Sequence, residues 1–196
     1  MSAQVTTTPV RAMRADARRN RVRILAAARE LFASERPEVG IDDVARRAGV
    51  GVGTVYRHFA DKEALMGELV RERFGLFNER MREALAEEGG DPLELLTGTM
   101  RANAASMAAD AATRFAFMAG GERVFAQAEA ERVEFMRLAT ALVKRARKAG
   151  RLRRDFRAAD IPMVMCGVCA TIDRGGSGWD WRRHLELVLR GMTAAS

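Results

Sequence analysis

Within the stretch RAGVGVGTVYRHF, residues 47–59, Thr54 and Arg57 stand three positions apart. That spacing puts them on one face of a helix. A hydroxyl beside a guanidinium suits the edges of bases: Thr54 can exchange hydrogen bonds with a base or touch a thymine methyl, and Arg57 can grip guanine or a phosphate. Gly51 and Gly53 keep the start of the helix thin, so that its backbone N–H groups can approach an anion. Tyr56, His58 and Lys62 fall at the margin, where phosphate contacts fix register rather than read sequence. Arg18, Arg19 and Arg21, farther upstream, can enter an adjacent minor groove or stay on the phosphate backbone, and the spacing leaves both open. The partner implied is double-stranded DNA.

Other reactive chemistry is sparse. The chain has two histidines, His58 and His184, and no HExxH pair, phosphate-binding Gly-rich loop or nucleophile elbow. No catalytic residue, cofactor or metal ligand set is expected. Cys166 and Cys169, in PMVMCGVCATI, are the only cysteines. A Cys-x-x-Cys pair can be a redox or metal motif, but this one lacks a preceding strand, a second ligand pair and a neighbouring histidine. Two buried, inert thiols are the reading favoured, and a thiol switch using both is its rival.

Charge agrees with a polyanionic partner. The 196 residues carry a formal +7, and the first 60 hold eleven arginines against six acids, so most of the excess is N-terminal. At 48% hydrophobic and 30% charged residues, the chain suits a soluble globular fold and disfavours wholesale disorder. No apolar run reaches the roughly 20 residues a bilayer demands, and the N-terminus lacks the apolar middle of a signal peptide. A cytoplasmic protein with no membrane partner is expected.

The elements that must position Thr54 and Arg57 follow from apolar spacing. Residues 1–15 show no apolar period and read as a flexible basic arm. From Asp16 a helical stripe runs through Ile24, Ala27, Ala28, Leu31 and Phe32, with Pro37 as its stop. Two short segments repeat the spacing: Ile41, Val44, Ala45, Ala48, then Val52, Val55, Tyr56, Phe59. Helices so short are marginal alone and must pack on each other and on the first. Gly49 between them permits the left-handed backbone of a sharp corner, which makes the pair a helix-turn-helix. Residues 16–62 are thus one small DNA-binding domain, with Val52, Val55 and Phe59 turned inward.

Residues 63–196 are expected to form a second helical domain, making the class all-α. Asp61 caps a helix that carries Met66, Val70, Phe74, Phe77, Met81 and Leu85 over more than five turns. Asp91 and Pro92 open the next. ATRFAFMAGG gives a short helix, Phe125 to Ala146 one long one, Asp160 to about Asp173 a Met- and Cys-rich one, and a last begins near Asp180. Nine of the eleven methionines lie beyond residue 60. With Phe74, Phe115, Phe117, Phe125 and Phe135 they can line a pliable apolar pocket, although core packing is the ordinary fate of such residues. The ligand-binding candidates are Met100, Asn103, Met107, Arg114, Phe115, Met118, Phe125 and Met136.

The N-terminal residues resemble the tetracycline-repressor (TetR) family. That family's pattern of a first helix ending in LF, then DxA..AGV..GT.Y.HF..K..L, is matched here by ARELF and DVARRAGVGVGTVYRHFADKEAL, over about residues 20–70. DWRRHLELVLRGM near the C-terminus is similar to the same region of some actinobacterial-type members. The resemblance implies a three-helix DNA-binding domain, a homodimer on a pseudo-palindromic operator, and a C-terminal domain whose small-molecule effector releases the DNA, most often in a repressor. Two departures matter: Gly40 and Gly51 stand where a capping Ser or Thr is common, and Val52 where Lys is common. A capping hydroxyl's phosphate contact is therefore not carried over. By the same analogy the last two helices of each protomer form a four-helix dimer interface, for which Met163, Val164, Gly167, Val168, Leu185, Val188, Leu189 and Met192 are the candidates. A non-specific basic helical scaffold is the remaining alternative.

Overall fold

The computed structural model describes residues 8–34, 38–175 and 178–194, with side chains from Met13 onward. Among these residues there are ten helices and no strand. They are α1 (Thr8–Phe32), α2 (Ile41–Ala48), α3 (Val52–His58), α4 (Lys62–Ala86), α5 (Pro92–Ala108), α6 (Ala111–Ala119), α7 (Glu122–Ala126), α8 (Glu129–Lys148), α9 (Asp160–Arg174) and α10 (Trp181–Gly191). The only extended pairing described is a single antiparallel bridge between Leu152 and Thr193. It ties the loop after α8 to the C-terminal segment.

The first helix is longer than its apolar stripe. Residues 8–15 are helical, where a flexible arm was expected. Ala, Arg and Met are strong helix formers, and Pro9 falls in the first turn, where its missing N–H does no harm. Residues 1–7 and Pro37 lie outside the described residues. A second difference is the break at Gln127 and Ala128, which divides the long helix expected from Phe125 to Ala146 into α7 and α8. The caps expected at Asp61 and Asp91 hold, their side chains accepting from backbone N–H groups of α4 and α5, and Asp180 does the same for α10. Asp160 is instead the first residue of α9, and its carboxylate accepts from the Arg157 N–H at 2.7 Å.

Two apolar cores share one helix. Ile24, Phe32, Val44, Val55 and Phe59 from α1–α3 and its end are joined in the first core by Leu65, Met66, Leu69 and Val70 of α4. The second contains Phe77 and Met81 of the same helix, with residues of α5, α8, α9 and α10. Phe74, partly buried, packs against both. The first core does not end at the helix-turn-helix, since Ala112, Ala116, Val124 and Ala128, of α6, α7 and the turn after α7, complete it. Gly67 lets α4 and α7 approach closely: a Cβ there would lie 2.5 Å from Gln127 Cγ and 3.0 Å from the Val124 carbonyl oxygen. The two halves of the chain are therefore joined by packed surface as well as by the length of α4.

Polar side chains reinforce that seam. Arg73, 8% exposed, pairs with Asp110 and donates to Ser106. Asp110 also caps α6, accepting from the N–H and the hydroxyl of Thr113 at 3.0 and 2.7 Å. Burial pushes its carboxyl up, but the Thr113 bonds and the Arg73 guanidinium more than offset this and hold the pKa below the usual 3.8. Glu68 is lowered in the same way, burial being outweighed by Arg71 and Arg21.

Candidate nucleic-acid interface and ligand pocket

The helix-turn-helix corner depends on one backbone conformation. Gly49 closes α2 at φ 63°, ψ 40°, and its N–H and that of Val50 return to carbonyls of the last turn. Arg23 of α1 donates to the Gly49 carbonyl at 3.1 Å, so the corner is fastened to the first helix. Gly40 and Gly51 are the N-caps of α2 and α3, both extended and without a side-chain bond. At Gly40 the shortfall is partly met by Asp43, whose Oδ2 accepts the Gly40 N–H at 3.1 Å.

On α3, Val55 and the following Phe59 are buried, which fixes the helix's rotation. Thr54 and Arg57 consequently face out together. Arg57 Nη2 donates to Thr54 Oγ1 at 3.0 Å, and its Nε donates to the Gly53 carbonyl at 3.2 Å. Arg57, Gly51, Gly53 and Tyr56 are exposed, while Thr54 and His58 are half-buried. Val52, expected to point inward, is 38% exposed and joins the outer face, because a seven-residue helix has room for only one inward position per turn.

The flanking cations divide. Arg18 and Arg19 are exposed on α1, the latter paired with Asp16. Arg21 is turned back into the protein: it pairs with Glu68 at 2.7 Å, and its guanidinium lies 4.7 Å from the centre of the Phe59 ring. Lys62 also departs from the margin proposed for it. Its ammonium stands over the rings of Phe32 and Phe115, 5.7 and 6.0 Å from their centres, where cation–π attraction competes with solvent.

Between α4, α5, α6, α7, α8 and α9 lies a cavity of about 460 Å³. Six of the eight expected ligand-binding residues line it: Met100, Asn103, Met107, Met118, Phe125 and Met136. Arg114 does not. It is buried, pairs with Asp173 and donates to the Met107 carbonyl at 2.8 Å, so it clamps α6 to α9 and α5. Phe115 does not either, because it packs in the first core with its ring 6.0 Å from that of Phe32. The aromatic wall comes instead from Phe74, Phe77, Phe117, Phe125 and Phe135, with Phe74 5.4 Å from Phe117 and 5.5 Å from Phe135. Helix α9 adds Ile161, Pro162, Met165, Cys166 and Cys169. Nothing in the local sequence could signal that this helix turns its sulfurs toward the cavity.

Cys166 is exposed and Cys169 buried. Burial, with a smaller effect of Cys166, pushes the Cys169 thiol up to about 12, so it stays protonated and a poor nucleophile. Among the described residues no group of three His, Cys, Asp or Glu side chains could hold a metal ion, and no helix is long and apolar enough to cross a membrane.

The expected dimer residues are split by the structure. Val168, Leu185, Leu189 and Met192 are buried in the protomer's own second core. The family analogy gives these four to a partner, but the protomer itself covers them. Met163 is 65% exposed, while Val164, Gly167 and Val188 are half-buried. Leu187, 56% exposed, was missed.

Comparison with known proteins agrees with this geometry. Residues 24–69 match the bacterial regulatory proteins of the tetR family, and residues 91–194 match the C-terminal domain of SbtR-like transcriptional regulators. A TetR transcription regulatory protein from Mycobacterium vanbaalenii is 34% identical, with 93% of this chain and 99% of that one covered and a TM-score of 0.59. The TetR transcriptional regulator SCO0520 from Streptomyces coelicolor is 30% identical over 90% and 99% of the two chains, with a TM-score of 0.60. An HTH-type transcriptional regulator of Staphylococcus aureus strain USA300 is 39% identical over 66 residues; these are 33% of this chain, which spans only 36% of that relative. These names describe regulators, not enzymes. With a glycine-cornered helix-turn-helix at one end of α4, a helical domain at the other, and matches to both parts, the chain belongs to the TetR family of bacterial regulatory proteins.

Proposed function

We propose that this protein is a dimeric repressor that binds a pseudo-palindromic operator through α3 and leaves it when a small amphipathic or apolar effector enters the cavity. The observation that carries this reading is the exposed Arg57, bonded to the half-buried Thr54 on the outer side of a helix whose inner face shares a core with α4, α6 and α7, three of the helices that wall the cavity. Two recognition helices on one face of a duplex must reach grooves about 34 Å apart, so a tilt of α4 by a few ångströms would cost affinity. Support for coupling comes from a chain of polar contacts. Asn103 at the cavity accepts from Arg80, Arg80 reaches Ser106, Ser106 accepts from Arg73, and Arg73 pairs with Asp110 at the start of α6.

For the dimer, the exposed parts of α9 and α10, with Met163, Val164, Gly167, Leu187 and Val188, are the surface we assign to the partner. The thiol-switch alternative is disfavoured by the buried, protonated Cys169. The test is selection of bound duplexes from a random pool, followed by release assays. A thousandfold or greater preference for the selected duplex over a scrambled one, at physiological salt, is expected. A ratio near one would favour the non-specific scaffold.

A further inference from the structure

The cavity holds one polar group whose chemistry is incomplete. Asn103 is 4% exposed, and its Oδ1 accepts from Arg80 Nη1 at 3.0 Å. A guanidinium can only donate, so the carboxamide is fixed with its oxygen toward Arg80 and its NH2 turned the other way. Among the described residues Nδ2 of Asn103 forms no hydrogen bond, and it is not among the side-chain atoms sealed from solvent without a partner, so water reaches it. An apolar occupant that displaced that water would leave the donor unmet, a cost that an acceptor in the cavity avoids.

The remainder of the lining says what that something is. Only two lining residues are ionic, Glu129 and Arg132, and they neutralise each other at 3.1 Å while Arg132 lies 5.4 Å from the centre of the Phe125 ring. The buried cations nearby are committed: Arg73 to Asp110 and Ser106, Arg114 to Asp173 and the Met107 carbonyl. A carboxylate entering here would lose its water and meet no unpaired cation in the lining; Arg80, which has no carboxylate partner among the described residues, is outside the lining, its guanidinium held on the Asn103 oxygen and Ser106. A pure hydrocarbon would fill the space but leave the Asn103 donor unmet. At about 460 Å³ the cavity is within the range, roughly 300–1,000 Å³, that encloses a single small organic molecule.

We propose that the cavity selects an uncharged, largely apolar molecule carrying a carbonyl-type acceptor, held on the Nδ2 of Asn103. This deepens the effector reading above and rests on it only for the consequence at DNA, because the binding preference stands or falls separately.

The experiment is displacement of Nile red from the full chain by three twelve-carbon competitors: hexanophenone, hexylbenzene and 4-pentylbenzoate. Hexanophenone should displace the dye at about three- to tenfold lower concentration than hexylbenzene, the range a single net hydrogen bond confers, with the benzoate weakest. Asn103→Leu should abolish the advantage of the ketone and spare hexylbenzene. If Asn103→Leu does not fold, Asn103→Asp serves, because it keeps an acceptor for Arg80 and offers no donor to the cavity. The proposal is overturned if the benzoate binds as tightly as the ketone, if the ketone keeps its advantage in the variant that folds, or if neither dye nor competitor binds. The same compounds are then added to the protein on its selected duplex. A ketone preference without DNA release would refute the effector reading and leave the binding assignment intact.

Discussion

Replacing Arg57 with alanine tests the nucleic-acid face most directly, because its guanidinium is already held over that face. The bonds to Thr54 Oγ1 and the Gly53 carbonyl, 3.0 and 3.2 Å, are exposed and exchange with water at little cost. The side chain can therefore leave them for DNA. If it binds a phosphate, a dimer loses two neutralised charges. The slope of log affinity against log salt then becomes shallower by about 1.8, roughly a tenfold change in relative affinity between 50 and 200 mM salt. If it reads guanine, about 1–3 kcal/mol is lost per half-site, or about 2–6 kcal/mol for two, and the scrambled duplex is much less affected. Fluorescence anisotropy on the selected and scrambled duplexes at several salt concentrations separates the two outcomes. Lys62→Ala is the control: with its ammonium over Phe32 and Phe115, its removal should leave the salt slope unchanged. Unchanged affinity and slope for Arg57→Ala on both duplexes would refute the assignment of this surface.

Other consequences are as direct. Gly49→Ala forces a side chain into a left-handed conformation with its Cβ 2.8 Å from Arg23 Nη2, so DNA affinity should fall and thermal stability drop by about 1–2 kcal/mol in calorimetry. Gly67→Ala should cost about 1–3 kcal/mol by pushing α7 off α4, and a melting temperature equal to that of the parent would argue against so close a contact. The Asp110 and Glu68 carboxyls have folded pKa values below 3.8 and 4.5, so their stabilisation is complete above those values and lost as pH falls through the lower folded ones. Urea midpoints should therefore decline below about pH 4.5, and Asp110→Asn should flatten part of that decline. Iodoacetamide at pH 8 should modify Cys166 and spare Cys169, as peptide mass spectrometry would show. Rapid double labelling would contradict the burial of the second thiol.

Local chemistry was legible where neighbours in the chain decide the outcome. The corner at Gly49, the Asp caps at 61 and 91, and the outward placement of Thr54 and Arg57 all follow from the spacing of a few residues. The Met- and Phe-rich wall was legible in kind, and six of its eight expected residues line the cavity. Composition could not say which cations would be spent inside the protein. Arg21, Lys62 and Arg114 are each drawn to a carboxylate or a ring that lies far away in sequence.

What the chain alone determined is most of the helices and of the faces they bury, though not the start of α1, the break before α8 or the outward Val52, because apolar period and capping are properties of segments a few turns long. Only the tertiary structure decided who covers each face. Leu185 and Leu189 on α10 and Met163 on α9 are all apolar, yet the first two close the protomer's core and the last remains exposed. Burial is settled by the helices that converge from elsewhere in the sequence. The same convergence brings Asn103, Arg80 and the sulfurs of α9 to or beside one cavity, and no local pattern encodes that meeting.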